Sequence, residues 1–410
     1  MLHKDNQYFI HSLPNGLRIA GCRMDGNVTY IGVAVNAGSR DESSEHFGLA
    51  HFVEHTIFKG TLRRRSWHIS NRMETVGGEL NAYTSKEETV VYTNAPAGNE
   101  ERALELLADL IANATFPSRE IDREREVIIE EINSYLDSPA DSVYDEFEEM
   151  AYRGSALAHN ILGTPESVRG IASADCRAFL DRFYTPSNMV LYISSPLAPE
   201  KALKLITKHF SQLHFPKSAG QREVPPLAPP FDIELNRDGH QAHTIVGART
   251  FARTDPRRFP LFLLNNYLGG PCMNSVLNQE MRDRRGLVYT VDSSVSLLSD
   301  TGMMMIYFGS DRASVKKCRT IIRNRLDALA SSPLNARLFD SIRNQYIGQL
   351  IVSSDNRESS AMSLAKSLLY YDKIRDVRVM AEELRATTAE EMRCVAETVA
   401  SNLHYILTLC

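Results

Sequence analysis

Long hydrophobic runs are absent from this 410-residue sequence. It has no stretch of about 18 consecutive apolar residues, the shortest length expected of a membrane-spanning helix. The chain also turns polar immediately after Met1 and Leu2, so it lacks the apolar core that a secretory signal requires. These absences predict a cytoplasmic protein with no membrane partner.

Blocks of like charge are equally scarce, and the longest is the arginine run at residues 63–65. Lysine and arginine number 46 against 51 aspartates and glutamates, which gives a formal net charge of -5. A nucleic-acid surface would need a marked basic excess, so we expect no nucleic-acid partner. The 43% of hydrophobic and 24% of charged residues are typical of a globular protein and exclude disorder and collagen.

Cysteines are few and show no paired spacing. The six of them include no CxxC pair and no regular interval. This distribution predicts reduced thiols rather than a disulfide framework, which agrees with an intracellular setting. A chain of this length can bury enough apolar surface unaided, so a metal, if present, need not be structural.

The sequence divides into two halves that resemble two copies of one design. Five prolines cluster within residues 215–230, where regular periodicity is lost, so we interpret this stretch as a linker. Residues 187–193 (SNMVLYI) are echoed by residues 401–407 (SNLHYIL), an offset of 214 residues. We therefore predict a catalytic domain over residues 1–214 and a homologous noncatalytic domain over residues 231–410.

Hydrophobic periodicity in the first half alternates between the strand and helix types. The predicted strands cover residues 8–23, 28–36 and 79–94, the last as a hairpin. The predicted helices cover residues 47–60, 102–114 and 119–136. This mixture predicts an α+β fold with two homologous domains, each a mostly antiparallel sheet with helices packed on one face.

A pentapeptide in the first predicted helix carries the clearest chemical signal. His51 and His55 are four residues apart, so they share one helix face and can bind one cation, most suitably zinc. Glu54 lies beside them, where a carboxylate can act as a general base without being a ligand. The order HxxEH is that of an inverted zincin motif, and the alternative is a solvated helix face.

A catalytic zinc site needs a third protein ligand. The acidic helix predicted over residues 119–136 offers five glutamates, and the pattern alone does not choose among them: Glu120, Glu124, Glu126, Glu130 and Glu131. Glu124 and Glu131 are seven residues apart and lie on one helix stripe, so one can bind the metal while the other orients a ligand. A solvated charged face is the alternative for most of these residues.

Five segments together form a more specific pattern than the pentapeptide alone: residues 48–55 (GLAHFVEH), 58–61 (FKGT), 77–78 (GG), 80–85 (LNAYTS) and 124–131 (EREVIIEE). They resemble the inverzincin metallopeptidases, the family of pitrilysin, insulin-degrading enzyme and the β subunit of mitochondrial processing peptidase. The resemblance covers essentially the whole chain and is closest to short bacterial members similar to the processing peptidase. It implies a zinc endopeptidase that cleaves peptides or extended, unfolded segments.

The resemblance also implies roles for residues outside the pentapeptide. In the family the third zinc ligand follows the second histidine by about 76 positions, which lands on Glu131 here. Glu124 matches a glutamate that supports a ligating imidazole. Asn81 and Ala82 match an edge strand on which the substrate lies as an added strand, and a plain hairpin edge is the alternative.

The second half lacks the metal residues. A shift of 214 residues places other side chains at the positions of the metal motif and of the two glutamates: Asn265, Leu268, Gly269, Leu338 and Gln345. Arg282 and Tyr289 resemble a pair, seven residues apart, with which the family's noncatalytic domain reaches the active site. Donors of this kind suit an oxyanion. Without the resemblance, both residues would be interpreted as structural.

The resemblance has a consequence for assembly. In the long relatives this arginine and tyrosine come from the opposite half of the enzyme, which implies that a short chain takes Arg282 and Tyr289 from a partner subunit. We therefore expect a homodimer that encloses a chamber. The alternatives are a catalytically silent scaffold and a subunit of a heteromeric processing peptidase that needs a different partner. The intact metal set favours the enzyme.

Overall fold

A computed structural model describes residues 7–213, 222–237 and 239–410. These residues form eleven strands: β1 (Gln7–Ser12), β2 (Arg18–Arg23), β3 (Val28–Val35), β4 (Glu79–Thr84), β5 (Thr89–Pro96), β6 (Met189–Ser195), β7 (Phe231–Leu235), β8 (Ala242–Thr250), β9 (Val288–Leu297), β10 (Gly302–Ser310) and β11 (Leu403–Leu409).

The same residues form fourteen α-helices: α1 (Leu49–Thr56), α2 (Ser66–Glu74), α3 (Glu100–Asn113), α4 (Ser118–Leu136), α5 (Pro139–Ala151), α6 (Pro165–Gly170), α7 (Ser173–Phe183), α8 (Pro199–Phe210), α9 (Arg258–Gly269), α10 (Val315–Ser331), α11 (Ala336–Ser353), α12 (Arg357–Tyr371), α13 (Val377–Ala386) and α14 (Ala389–Asn402). Among the helices described, none combines the length and the apolar character that a membrane span needs.

The first unit is built on a six-stranded sheet with the order β1-β2-β6-β3-β5-β4. Neighbouring strands are antiparallel except β2 and β6, which are parallel. One face of the sheet packs against helices that include α1, α3 and α8. The other face is covered by α12, whose Ala361, Leu364 and Leu368 pack with Ala34 and Tyr192 of the sheet.

The second unit repeats this arrangement around a five-stranded sheet with the order β7-β11-β8-β10-β9. Only β7 and β11 are parallel, as β2 and β6 are in the first sheet. Helices α9, α10 and α14 pack on one face. Helix α5 covers the other face through Val143 and Phe147, which pack with Ile245 and Leu407. The shared strand order agrees with the duplication inferred from the sequence.

The two compact units exchange segments of the chain. Among the described residues, the first unit takes those within 1–133, 159–223 and 353–376, and the second takes those within 134–158, 224–352 and 377–410. Helix α5 thus belongs to the second unit and α12 to the first. The predicted domains, residues 1–214 and 231–410, differ from these units in where they place residues 134–158 and 353–376.

The predicted linker contains one of the points at which the chain passes between the units, namely between residues 223 and 224. Residues 222–230 of that stretch form no helix or strand, whereas residues 215–221 lie outside the described part of the chain. Arg222 is held in the first unit, because its guanidinium donates to Asp41 at 2.8 Å and to Asn36 at 3.0 Å.

The predicted α+β class is confirmed, with two mostly antiparallel sheets and packed helices. The hairpin expected over residues 79–94 is the antiparallel pair β4 and β5. The helix expected over residues 47–60 is shorter, because α1 starts only after Gly48, which adopts a left-handed φ of 91°. Each sheet also carries one helix on its second face, in addition to the helices expected on the first.

Candidate metal centre

Helix α1 positions the HxxEH side chains. Its residues Leu49, Phe52 and Val53 are buried in the core of the first unit, which fixes the helix against the sheet. Successive helical residues are 100° apart, so His51, Glu54 and His55 are displayed together on the remaining face. One ligand atom from each lies within 4.8 Å of the others, and the two imidazole ring centres are 4.6 Å apart.

Helix α4 brings two carboxylates to these imidazoles. Glu131 Oε2 lies 3.8 Å from His51 Nε2 and 3.6 Å from His55 Nε2. Glu124, two turns earlier, places its Oε2 3.4 Å from His55 Nδ1. The two ring nitrogens of His55 therefore face two different glutamates.

The other glutamates of α4 lie elsewhere. Glu126 and Glu130 are exposed, and Glu120 accepts a hydrogen bond from Arg123 at 3.3 Å. Four isoleucines fix this rotation of the helix because their side chains are buried: Ile121, Ile128, Ile129 and Ile132. The choice that the sequence left open among five glutamates thus narrows in the structure to Glu124 and Glu131.

Lys59 extends the site beyond the residues identified from the sequence. Its Nζ lies 2.7 Å from Glu124 Oε1, on the carboxylate whose other oxygen faces His55. The ammonium group pairs with one oxygen of Glu124 and leaves the other oxygen facing the imidazole, where a carboxylate can accept a hydrogen bond. The only sequence signal for Lys59 was its place in the FKGT segment.

The electrostatics of the helix face suit metal binding. Burial, with the neighbouring His55, lowers the pKa of His51 to about 3, so this imidazole is neutral and keeps a lone pair for a cation. Burial also raises the pKa of the Glu54 carboxyl above its ordinary value. A glutamate in such surroundings exchanges a proton more readily near neutral pH than an exposed one does.

The donor set fits a zinc ion. A tetrahedral shell with ordinary zinc-ligand bonds separates neighbouring ligand atoms by about 3.3 Å. Glu131 Oε2 is 3.8 and 3.6 Å from the two imidazole nitrogens, so a contraction of a few tenths of an ångström would bring both of these separations to the value in such a shell. Two imidazoles and one carboxylate are ligands that zinc favours, and such a set of three leaves a fourth coordination position for water or substrate.

The predicted substrate strand lies at the edge of the first sheet. Strand β4 is the last strand in the sheet order and pairs with β5, Asn81 opposite Tyr92 and Ala82 opposite Val91. No strand in the described chain pairs with the outer edge of β4. The Ala82 amide donates to Asn81 Oδ1 at 2.9 Å, and α1 packs against β4. The open edge therefore belongs to the same unit as the metal centre.

Arg282 and Tyr289 lie in the second unit. Arg282 is exposed near the end of a π-helical turn (Asn278–Asp283), and Tyr289 is 57% exposed at the start of β9. The second unit has no counterpart of the metal cluster among its described residues. At the position corresponding to His51, Asn265 donates instead to the carbonyl of Ser293 at 3.1 Å, a contact between α9 and β9.

Family profiles match most of the chain. One described as Insulinase (Peptidase family M16) matches residues 23–165, and one described as Peptidase M16 inactive domain matches residues 171–346. The first match contains the HxxEH helix and the two glutamates of α4 that face the histidines, Glu124 and Glu131. The second contains Arg282 and Tyr289.

Similar proteins, each matched over most of its length, occur in several organisms. The chain is 30% identical over 390 residues to the uncharacterized zinc protease YmxG of Bacillus subtilis, with 94% of each chain covered. It is 30% identical over 396 residues to an uncharacterized zinc protease of Streptomyces coelicolor, with 95% of this chain and 86% of the relative covered. It is 28% identical to bovine mitochondrial cytochrome b-c1 complex subunit 1, with 97% and 84% covered.

Solved structures share the fold. A protease from Helicobacter pylori superposes with a TM-score of 0.88 at 21% identity, covering 98% of this chain and 99% of that one. An M16-like peptidase from Alicyclobacillus acidocaldarius gives a TM-score of 0.88 at 21% identity, covering 100% and 99%. The two-sheet architecture is therefore found in other chains of this size.

Proposed function

Since the chain belongs to the M16 peptidase family, we propose that it is a zinc-dependent endopeptidase that cleaves peptides or extended, unfolded segments. The observation that carries this proposal is the meeting of Glu131 with the Nε2 atoms of both His51 and His55, each within 4 Å. Two helices far apart in sequence converge to create that arrangement, whereas a solvated helix face would not require it.

In this proposal His51, His55 and Glu131 hold the zinc ion. Bound zinc supplies Lewis acidity, which polarises a peptide carbonyl and makes a water more acidic. Glu54 accepts the proton of the attacking water and delivers it to the leaving amine, a transfer for which its raised pKa is suited. Glu124, itself paired with Lys59, fixes the orientation of the His55 ring.

Substrate would bind along strand β4 as an added strand. Backbone hydrogen bonds of this kind depend little on side-chain identity, which suits an enzyme for many extended peptides. Asn81 and Ala82 are the proposed contact positions. Asn81 Oδ1 accepts a hydrogen bond from the Ala82 amide at 2.9 Å. An incoming peptide would therefore have to displace the Asn81 side chain before its own carbonyl could accept a hydrogen bond from that amide.

We further propose that Arg282 and Tyr289 act in trans, from the second subunit of a homodimer. Both side chains are exposed in the second unit and are thus accessible. An arginine and a phenol would stabilise the oxyanion and hold the substrate backbone. The catalytic chamber would then be completed by two copies of the chain.

A noncatalytic role is the second candidate, favoured by two of the comparisons. One relative is a subunit of the cytochrome b-c1 complex, and one profile is described as an inactive domain. The inactive-domain match covers residues 171–346, outside the HxxEH helix. A scaffold has no use for Glu54 beside two buried or half-buried histidines, so the enzyme remains the favoured proposal.

The function can be tested with a mixture of unstructured peptides, about 10 to 40 residues long, as suits a chamber that admits extended chains. The zinc-loaded parent and its Glu54→Gln variant are incubated with the mixture, and the products are identified by mass spectrometry. We expect cleavage by the parent and a loss of about 100-fold or more in the variant, because the general base is removed. Equal cleavage by both proteins would contradict the role of Glu54, and cleavage by neither would favour the scaffold.

A further inference from the structure

A buried carboxylate outside the metal cluster caps the helix that carries the histidines. The Glu42 side chain has no exposed surface. Its Oε2 accepts a hydrogen bond from the Gly48 amide at 2.8 Å, and its Oε1 accepts one from the Ala50 amide at 2.7 Å. These are among the amide groups that a helix N-terminus leaves without intrahelical partners.

A histidine completes the surroundings of this carboxylate. His159 Nε2 lies 3.0 Å from Glu42 Oε2, and the imidazole is 8% exposed. The ring of His159 stacks on that of Phe47, with centres 4.0 Å apart and planes at 13°. The carbonyl of His159 accepts a hydrogen bond from Lys86, which lies in the turn between β4 and β5.

The loop that begins at His159 encloses the start of α1. We name residues 159–164 the return loop, because the chain re-enters the first unit there. A side chain at Gly48 would meet the carbonyl of Leu162 at 2.5 Å, and one at Gly163 would meet the carbonyl of Phe47 at 2.3 Å. Ser167 also donates to the Phe47 carbonyl at 2.7 Å. The start of α1 is thus tightly confined.

An ordinary helix cap needs neither a buried carboxylate nor a buried histidine beside it. A serine, threonine or aspartate next to the helix satisfies the same amides at the surface. Burying a carboxylate is costly, and here burial raises the pKa of Glu42 while His159 and the two amides oppose that shift. The fully enclosed group therefore fixes the position of α1 more strictly than a mobile surface cap would.

The cap formed by Glu42 fixes the position of His51, the first histidine of the motif. Helix α1 has only eight residues, and the Ala50 amide held by Glu42 belongs to the residue directly before His51. A shift of this peptide unit moves the His51 imidazole relative to Glu131, which lies on a different helix 3.8 Å away. Metal ligands must keep their geometry to within about half an ångström for full function.

We propose that Glu42 and His159 are positioning residues for the zinc site, a proposal that rests on the ligand set His51, His55 and Glu131. Glu42 holds the first turn of α1 through two amides, and His159 holds Glu42. Together they place the His51 imidazole where it meets Glu131. Neither residue touches the metal or the substrate.

The main test measures the zinc affinity of Glu42→Gln by competition with a chelator. Glutamine keeps the shape but turns one acceptor oxygen into an NH2 donor that faces another donor, so one amide loses its partner. We expect zinc affinity to fall about 10- to 100-fold, as for other residues that orient ligands. The visible spectrum of the cobalt-substituted protein should also change, because the ligand geometry relaxes.

Three further variants separate positioning from general stability. His159→Gln retains an NH2 donor toward Glu42 and should keep most of the zinc affinity, whereas His159→Leu should lose part of it. Thr408→Val removes a buried hydroxyl that contacts Thr244 at 3.0 Å in the second unit. This control should lower the melting temperature and leave zinc affinity unchanged.

A measurement on the zinc-free protein covers the case in which Glu42→Gln folds poorly. In His159→Leu, hydrogen exchange of residues 48–56 should lose protection relative to the parent, while the second unit keeps it. Unchanged hydrogen exchange of residues 48–56 in His159→Leu, or unchanged zinc affinity in folded Glu42→Gln, would overturn the inference. A parent that binds no zinc, or a His51→Ala variant that binds it as well as the parent, would instead overturn the proposed ligand set.

Discussion

Three glutamates of the metal centre share one type of side chain and differ in what they touch. Glu131 faces both imidazole Nε2 atoms, Glu124 lies between His55 and Lys59, and Glu54 is half-buried on α1 beside the two histidines. Because its surroundings decide what a carboxylate can do, we propose three roles for this one residue type: ligand, orienting group and base.

Lys59 gives a prediction at the residue scale. Replacing it by methionine removes the cation that holds Glu124, so the His55 ring loses part of its fixed orientation. We expect zinc affinity to fall about 10-fold or more in Lys59→Met, measured by competition with a chelator. Lys201→Met, at an exposed position on α8, is the matched control and should match the parent. If both variants bind zinc equally well, Lys59 has no orienting role.

The sequence identifies some of these residues and not others. His51, Glu54 and His55 are readable because one turn of helix brings them together. The contact of His55 with Glu124 spans 69 residues, and that of Glu42 with His159 spans 117. Such contacts depend on how helices pack, and local periodicity contains no information about packing partners. The seven-residue stripe makes Glu124 and Glu131 candidates and the family resemblance separates their roles, whereas no sequence signal points to Glu42 or His159.

At the scale of elements, the site depends on where α1 starts. Apolar spacing predicts a helix here but not its first residue, because Phe47 fits the helical pattern as well as Leu49 does. In the structure the helix begins at Leu49, directly after Gly48, whose left-handed φ of 91° turns the chain into the helix. A side chain at this position would also meet the return loop at the carbonyl of Leu162.

Gly48→Ala tests this geometry against a matched glycine. Both Gly48 and Gly77 have left-handed φ values, 91° and 76°, but a side chain at Gly77 would meet nothing within 4 Å. Gly77→Ala should therefore cost only the conformational strain, about 1 to 2 kcal/mol. Gly48→Ala should cost more in urea unfolding and should also weaken zinc binding. Equal stability and zinc affinity for the two variants would show that the contact with Leu162 is unimportant.

At the scale of the whole molecule, each unit takes one helix from the other half of the sequence. Helix α12 covers the second face of the first sheet, and α5 covers the second face of the other. Duplication and the α+β class follow from repeats and periodicity. The exchange does not, because an amphipathic helix shows that one face is buried but not which sheet buries it.

Mixing two inactive variants tests the proposed dimer. Glu54→Gln lacks the base but keeps Arg282 and Tyr289, and Arg282→Ala lacks the arginine but keeps the metal centre. If these side chains act in trans, a mixed dimer contains one complete site, and random exchange of subunits gives about one quarter of the parental activity. Peptide cleavage measured after subunit exchange should recover to that level. No recovery, with mixed dimers shown by mass spectrometry, would place Arg282 in cis, and an Arg282→Ala variant with parental activity would place Arg282 outside the reaction.

The most direct test of the account is anomalous diffraction at the zinc absorption edge on crystals of the zinc-loaded protein. We predict one strong peak per chain, about 2 Å from His51 Nε2, His55 Nε2 and a Glu131 carboxylate oxygen, with Glu54 outside the ligand sphere. A peak bound by Glu54 in place of Glu131, or a peak away from α1 and α4, would contradict the proposed site.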